Sequence, residues 1–139
     1  MAGSYSLIVF PMPGKLNLMD LLVKVINHRV TLGRDSQYFL AVQMIKVMGQ
    51  LHLIDKVAHN DFKPDNLVIE DQTNHLKAID FAAVTSLEDN EKLPSRRGTR
   101  GYMAPEKLSQ KIKYSAEKAD IFSLGVSLLI LLFLEYPFG

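Results

Sequence analysis

The sequence predicts an α+β fold that is mainly helical and contains short β-hairpins. Apolar residues recur at helical spacing over residues 35–54, and two short apolar runs within residues 67–79 flank a polar turn. A third signal is the apolar stretch of 14 residues from Ile121 to Leu134. The chain has 139 residues, of which 47% are hydrophobic and 22% are charged. This composition is typical of one globular domain and excludes disordered and fibrous architectures.

The first elements of the chain are predicted from its breakers and caps. Ser6–Phe10 is typical of a short buried strand, which the Pro-Met-Pro-Gly segment after it ends. Asn17 can cap a helix that begins at Leu18, because its side-chain oxygen can accept a hydrogen bond from a free N–H of the first turn. Gly33 and Arg34 mark the end of this region.

A second and longer helix is expected from Asp35 or Ser36 to about Ile54. Its helical spacing is carried by five side chains, namely Tyr38, Val42, Ile45, Met48 and His52. The flexible thioethers of Met44 and Met48 are expected to fill the core rather than to form a binding surface.

The middle of the chain changes to short strands and a long loop. Leu67–Ile69 and Leu76–Ile79 are predicted to form a hairpin across the polar residues between them. Residues 82–103 have no long periodicity and are expected to form an extended surface loop. Pro105 suits the first position of a short helix, and Ser115 can cap the last helix, which carries the apolar stretch.

Charge and apolar content exclude several kinds of partner. The net charge is +1, so no overall field draws the chain to nucleic acid. The apolar stretch is shorter than the roughly 20 residues of a membrane-spanning helix, so we predict a buried core helix, with a membrane-lying segment as the alternative. The chain has no cysteine, and its start does not resemble a signal peptide. We therefore expect an intracellular, cytoplasmic protein without disulfides, thiolate metal sites or a membrane span.

Residue types that can carry chemistry lie in an acidic block. Residues 55–91 hold nine acidic and three basic side chains, whereas residues 92–118 hold eight basic and two acidic ones. Within the acidic block, Asp61 is followed by Lys63 and Asn66. A carboxylate can orient a hydroxyl nucleophile, an ammonium can neutralise a transferring phosphoryl group, and an amide oxygen can help to hold a divalent cation.

A second carboxylate, Asp80, follows the next strand. Because a carboxylate there can bind the cation that bridges nucleotide phosphates, the combination favours phosphoryl transfer. Each residue alone also has an ordinary interpretation. Lys63 can be a solvated loop residue, Asn66 a turn residue and Asp80 a cap.

The order of these motifs resembles that of the eukaryotic protein kinase family. His59 to Asn66 is similar to the catalytic loop, and Asp80-Phe81-Ala82 is similar to the D-F-G motif. Residues 98–106, GTRGYMAPE, resemble the end of the activation segment. Residues 120–125, DIFSLG, resemble the start of the central hydrophobic helix.

The resemblance implies a protein-kinase-like fold of which residues 1–139 form a part. Residues 1–14 would be the last N-lobe strand and the hinge, and residues 15–139 an incomplete, mainly helical C-lobe, with the N-lobe largely missing. Lys63 and Thr99 resemble the Ser/Thr branch of the family. The implied activity is transfer of the γ-phosphate of ATP to a Ser or Thr hydroxyl of a protein substrate, with Mg²⁺ as the metal.

The resemblance also implies a role for each matched residue. Asp61 would accept the substrate hydroxyl, and Lys63 would stabilise the γ-phosphate. Asn66 and Asp80 would hold Mg²⁺, and Thr99 would help to set the substrate-binding loop.

Other residues would support this site or contact the nucleotide. His59 and Phe81 would stack in an internal hydrophobic spine, and Asp120 would anchor the backbone of the catalytic loop. His59 is expected to be packed and hydrogen-bonded to backbone. The expected ATP contacts are five residues: Phe10, Pro11 and Pro13 near the hinge, and Leu67 and Ile69 beneath the adenine. The three other histidines share no metal-binding spacing and are assigned structural or exposed positions: His28, His52 and His75.

Departures from the family pattern leave an alternative open. Asn60 stands where most kinases carry an arginine that pairs with a phosphorylated activation loop, so control through that contact is not expected. Ala82 replaces the glycine of D-F-G, and Pro13 has no N–H to offer to adenine. The alternative is a catalytically inactive pseudokinase that acts as a protein-interaction or structural module.

Missing family segments lead to an expectation about stability. No segment resembles the Gly-rich phosphate loop or the lysine–glutamate pair of the N-lobe. Glu106 would be a buried carboxylate without the arginine partner that the family supplies, and such a group is costly. We therefore expect the chain to need further kinase-domain segments or a protein partner for stability.

Overall fold

The computed structural model describes residues 16–88, 91–92, 97–109 and 113–138. These residues contain four α-helices: α1 (Leu18–Ile26), α2 (Arg34–Gly49), α3 (Pro105–Leu108) and α4 (Ala116–Phe133). A π-helical turn, Gln50–Ile54, continues α2, and a 3₁₀ turn, Pro64–Asn66, precedes the second strand. The predicted strand Ser6–Phe10 and the predicted hinge lie outside the described residues.

The strands of the described part are short and pair in three antiparallel ladders. The pairs are β1 (Val57–Ala58) with β4 (Thr85–Ser86), β2 (Leu67–Ile69) with β3 (Leu76–Ala78), and β5 (Glu91–Lys92) with β6 (Tyr114–Ser115). The β2–β3 hairpin confirms the prediction for that region. The expectation of a plain loop over residues 82–103 is wrong at β4 and β5, because strands of two residues have no periodicity that a sequence can show.

Three predicted helix starts are confirmed. The Oδ1 atom of Asn17 accepts a hydrogen bond of 2.8 Å from the N–H of Asp20 at the start of α1. The Ser115 side chain accepts a 3.3 Å bond from the N–H of Lys118 at the start of α4. Pro105 is the first residue of α3. Each cap supplies a partner to an N–H that the helix itself leaves free, or removes that N–H.

The predicted stripe of the second helix is buried only at its C-terminal members, Met48 and His52. Three members of the predicted stripe are about half exposed: Tyr38, Val42 and Ile45. Met44 and Met48 do fill the core, at 0% and 2% exposed. The buried face also includes Gln37, whose Nε2 donates to the carbonyl oxygen of Leu131 at 3.0 Å. Because polar side chains share the buried face, the apolar pattern alone misplaces it.

The main core lies between α1, α2, α4 and the β2–β3 hairpin. Five of its members have no exposed surface: Leu18, Leu22, Met44, Leu67 and Leu131. The predicted buried core helix is therefore confirmed in α4. None of the helices in the described ranges combines the length and the apolar character needed to cross a membrane. The architecture confirms the predicted α+β class with mainly helical content.

Two neighbouring residues of α3, Glu106 and Lys107, differ in burial. Glu106 is exposed, so the expectation of a buried carboxylate there is wrong. Lys107 is instead the buried residue, at 3% exposed. Helix α3 has only four residues, so its sequence offers too little periodicity to predict which side faces inward.

Candidate active site

The loop from His59 to Asn66 is fixed to α4 by one buried carboxylate. Asp120 is 1% exposed, and its Oδ2 accepts a 2.7 Å hydrogen bond from the backbone N–H of His59. Its Oδ1 accepts a 2.9 Å bond from the backbone N–H of Asn60. Two consecutive N–H groups directed at one carboxylate fix the backbone immediately before Asp61. This is the contact that the resemblance implies for Asp120.

His52, which the sequence assigned only a structural or exposed position, completes this anchor. Nε2 of His52 lies 2.9 Å from Oδ2 of Asp120, and both side chains are buried. The two residues are 68 positions apart, and no local pattern connects them. The histidine lies in the π-helical turn after α2, so this contact joins that turn to α4.

His59 is buried and hydrogen-bonded to backbone, as expected, and both of its ring nitrogens have a hydrogen-bond partner. Nε2 lies 2.9 Å from the carbonyl oxygen of Ile79, and Nδ1 lies 3.2 Å from the backbone nitrogen of Asp61. A carbonyl can only accept and a backbone N–H can only donate, so these partners assign the proton to Nε2. The His59 and Phe81 rings are in contact, with centroids 5.3 Å apart.

Three side chains from two separate segments meet at the surface of the loop. Nζ of Lys63 donates to Oγ1 of Thr99 at 2.7 Å, and that hydroxyl donates to Oδ1 of Asp61 at 2.7 Å. Nζ of Lys63 also lies 4.0 Å from Oδ2 of Asp61. Both charged side chains are 19% exposed. The group is thus ordered by its own hydrogen bonds and still open to a ligand.

Asn66 supports the same carboxylate from the other side. Its Nδ2 donates to the backbone carbonyl of Asp61 at 2.8 Å and lies 3.4 Å from Oδ2 of Asp61. The N–H of Ile79 donates to the carbonyl oxygen of Asn66 at 2.9 Å, which continues the β2–β3 pairing beyond the strand ends. The ladder therefore places Asn66 and the exposed Asp80 at the same end of the hairpin.

Asn66 and Asp80 are the residues here that could hold a hard cation such as Mg²⁺. The Asn66 amide nitrogen donates to Asp61, which leaves the amide oxygen as the atom that would bind a cation, and Asp80 adds an exposed carboxylate. Protein Mg²⁺ sites commonly use one or two such oxygens and take their other ligands from water and substrate phosphates. No group of three or more His, Asp or Glu side chains that could hold a metal exists within the described ranges.

Of the five expected nucleotide contacts, the structure describes Leu67 and Ile69. Leu67 has no exposed surface and packs in the main core. This corrects the expectation for Leu67, which supports β2 from the inside and offers no surface to a ligand. Ile69 lies on the same face of the strand, because side chains two apart point the same way, and it is partly buried against the core. The hinge residues Phe10, Pro11 and Pro13 lie outside the described residues.

The segment that carries Thr99 is held on α4 through Tyr102. The N–H of Tyr102 donates to the carbonyl of Thr99 at 3.1 Å, and Oγ of Ser123 donates to the carbonyl of Tyr102 at 2.7 Å. Burial raises the pKa of the Tyr102 phenol to about 12, and the negative charge of Asp65 and the neighbouring Tyr136 add to this effect. The neutral phenol is therefore the form that the fold accommodates.

A pH dependence of stability follows from the raised pKa of Tyr102. Up to about pH 10 the phenol keeps its proton in both the folded and the unfolded chain. Between pH 10 and about pH 12 only the unfolded chain releases it, so the free energy of unfolding falls, by about 2 kcal/mol at most. Urea unfolding of wild type and Tyr102→Phe across this range measures it. The Phe variant lacks this fall, whereas Tyr38→Phe, at an exposed tyrosine, keeps it. Equal curves for wild type and Tyr102→Phe would contradict the assignment.

Comparison with known proteins agrees with this geometry. A family model described as "Protein kinase domain" matches residues 3–139. A mitogen-activated protein kinase kinase kinase 7-like protein of Drosophila melanogaster is 35% identical over 130 residues, which cover 88% of this chain and 32% of that protein. The serine/threonine-protein kinase CHK1 of Saccharomyces cerevisiae is 32% identical over 112 residues, 78% of this chain and 21% of that protein.

A plant protein shows the same extent of similarity. CDPK-related kinase 1 of Arabidopsis thaliana is 36% identical over 121 residues, which cover 86% of this chain and 20% of that protein. The matches to these three relatives span between a fifth and a third of each relative's length. The family model covers nearly the whole chain, in agreement with the ordered motifs and the Asp61 cluster. The chain therefore belongs to the protein kinase domain family, with serine/threonine kinases among its relatives.

Proposed function

We propose that this chain carries the phosphotransfer residues of a protein kinase that moves the γ-phosphoryl group of ATP to a Ser or Thr hydroxyl of a protein substrate, and that it acts together with further kinase-domain segments. The observation that carries the proposal is the hydrogen-bonded series from Lys63 through Thr99 to Asp61, with 2.7 Å at each step. It brings a cation, a hydroxyl and a carboxylate together from segments 36 residues apart. Membership in the protein kinase family supports the reaction type.

Asp61 is the residue proposed to receive the substrate hydroxyl. The hydroxyl oxygen forms a bond to the γ-phosphorus while the bond between that phosphorus and the β–γ bridging oxygen breaks. The hydroxyl proton passes to a carboxylate oxygen of Asp61, and ADP leaves. The contacts of the Asp61 backbone with His59 and Asn66 orient the carboxylate before a substrate arrives, which lowers the cost of reaching the reactive geometry.

The negative charge of the ATP phosphates is proposed to be neutralised by Lys63 and by a Mg²⁺ ion that Asn66 and Asp80 hold. The ammonium of Lys63 lies on the same side as the Asp61 carboxylate and can neutralise charge on the transferring group. Asn66 and Asp80 would hold Mg²⁺, which when bound polarises the phosphates. Thr99 links Lys63 to Asp61 and is proposed to couple the substrate-binding loop to this pair.

An inactive, protein-binding pseudokinase is the second candidate, favoured by Asn60 and Ala82. The backbone of Ala82 is not among the positive-φ positions, so alanine fits this D-F-G position without strain. The geometry at this residue is therefore compatible with both candidates. The two candidates differ in what they predict for Mg²⁺ and ATP.

Metal removal tests the proposed function. Phosphate transfer from ATP to Ser- and Thr-containing peptides by the longest natural form of the protein is expected to stop when EDTA removes Mg²⁺. Asp80→Asn is expected to lower the transfer rate by about 10²-fold or more, because a metal ion supplies several kcal/mol of charge stabilisation. Asp71→Asn, at an exposed position of the β2–β3 turn, is the matched control. A folded wild type with neither transfer nor thermal stabilisation by Mg·ATP would favour the pseudokinase candidate.

A further inference from the structure

Lys107, directly after the GTRGYMAPE motif, is buried although it carries a charge. It is 3% exposed, and its Nζ donates to the backbone carbonyl of Asn60 at 2.9 Å. The same Nζ lies 3.4 Å from Oδ1 of Asn60 and 5.8 Å from the centroid of the Tyr114 ring. In the described part of the chain, no carboxylate forms an ion pair with this ammonium.

Burial of this ammonium carries a cost that a hydrophobic residue would avoid. Desolvation lowers the pKa of Lys107, while the charges of Asp120 and Asp61 act in the opposite direction. A buried charge is tolerated when hydrogen bonds hold it, and among the residues that the structure describes both of its oxygen partners belong to Asn60. The charge is thus directed at the loop residue immediately before Asp61.

Asn60 contacts the opposite end of the activation segment with its side chain. Its Nδ2 donates to the carbonyl of Ala83 and to Oγ1 of Thr85, both at 2.8 Å. Its backbone has a φ of +67°, a conformation that asparagine tolerates better than most residues. Its N–H donates to Asp120. One residue of the loop therefore binds the start of the segment, its end and α4.

We propose that Asn60 and Lys107 form a clamp that holds both ends of the activation segment, residues 80–106, on the catalytic loop, with Lys107 as a positioning residue for Asp61. Thr99 lies between the two clamped ends and contacts Asp61. Most kinases have at position 60 an arginine that binds a phosphorylated activation loop. Here Lys107 supplies the cation, and its nearest partner is the backbone carbonyl oxygen of Asn60. The clamp therefore needs no phosphate. This inference rests on the proposed function.

Gly98 gives independent evidence that the backbone before Thr99 lies close to Asn60 and Lys107. It has a φ of +124°, and a Cβ placed on it would lie 3.0 Å from the carbonyl oxygen of Asn60 and 3.6 Å from Nζ of Lys107. A side chain at this position would push against the clamp. The backbone that leads to Thr99 therefore passes directly over the Asn60–Lys107 contact.

Hydrogen exchange of the whole protein tests the clamp without relying on activity. Lys107→Met keeps the apolar length of the side chain and removes its ammonium. Backbone N–H groups of residues 97–104 are expected to exchange about 10-fold faster, since a hydrogen bond from a charged group is lost. Lys113→Met, at an exposed lysine, is the matched control and leaves exchange unchanged. Unchanged exchange in Lys107→Met, or an equal rise in α1 and α2, overturns the clamp.

A second variant separates the two ends of the clamp. Asn60→Gly keeps the positive φ and the backbone carbonyl that Lys107 binds, and it removes the side-chain amide. Faster exchange is then expected at residues 83–86, with a smaller effect at residues 97–104. The opposite order of effects contradicts the assignment of Nδ2 to the start of the segment.

Kinetics test the positioning role. Lys107→Met is expected to lower kcat about 10-fold with the KM for ATP within twofold of wild type, because the nucleotide contacts are kept. Phosphatase treatment of wild type is expected to leave kcat unchanged, and a large loss of kcat overturns the claim that no phosphate is needed. If wild type transfers no phosphate while the exchange results hold, the proposed function and the positioning role fail, and the clamp remains as a structural contact.

Discussion

Asp61→Asn is expected to lower kcat by about 10²- to 10⁴-fold, the range that a positioned acid–base group contributes. Asparagine has the size of aspartate but lacks its negative charge and cannot take up the hydroxyl proton. The amide oxygen can still accept the hydrogen bond of 2.7 Å from Oγ1 of Thr99. The substitution therefore removes the chemistry and keeps the packing. Steady-state transfer of labelled phosphate to a peptide mixture measures the loss.

Two controls make the Asp61 result specific. Asp71→Asn removes an exposed carboxylate from the same acidic block and is expected to retain wild-type kcat. The KM for ATP of Asp61→Asn is expected to stay close to that of wild type, because Asp61 is assigned to the hydroxyl and not to the nucleotide. Equal activity of wild type and Asp61→Asn, with both proteins folded, would exclude a catalytic role for this residue.

Asp120→Ala is expected to lower the free energy of unfolding by about 3–5 kcal/mol, the cost of breaking a buried charged network. The substitution leaves the N–H groups of His59 and Asn60 without their acceptor and also removes the partner of His52. Because these N–H groups lie directly before Asp61, we expect activity to fall together with stability. Urea unfolding followed by circular dichroism measures the change.

Ser127 provides the matched control for Asp120 on the same helix. Its hydroxyl is fully buried, but it donates to the carbonyl of Ser123 one turn earlier, at 2.8 Å. Ser127→Ala removes only this local bond, so we expect a cost of about 1 kcal/mol. A cost for Asp120→Ala no larger than that for Ser127→Ala would show that Asp120 does not anchor the loop.

The predictable parts of the fold are those set by neighbours in the sequence. The caps at Asn17 and Ser115, the proline start of α3 and the β2–β3 hairpin depend on a few consecutive residues, and the structure confirms each. The cluster of polar residues from Asp61 to Asn66 was equally visible, since all of its members lie in one loop.

The parts that the sequence misplaced depend on distant packing. Three residues of the predicted α2 stripe, Tyr38, Val42 and Ile45, point outward, whereas the polar Gln37 reaches the end of α4 and belongs to the buried face. The expected burial of Glu106 is likewise wrong, since Glu106 is exposed and its neighbour Lys107 is the buried residue. In both cases the buried polar side chain forms a hydrogen bond to a residue far along the chain.

The sequence by itself determined which chemistry this protein offers, namely a carboxylate, an ammonium and an amide in one loop, followed by a second carboxylate. Tertiary structure alone decided how these groups are held. The His52–Asp120 contact joins residues 68 positions apart, and the Lys107–Asn60 contact joins residues 47 apart. Backbone torsions and caps are set by neighbouring residues, whereas a buried polar group is stable only where the fold delivers a partner. That partner is known only once the chain is folded.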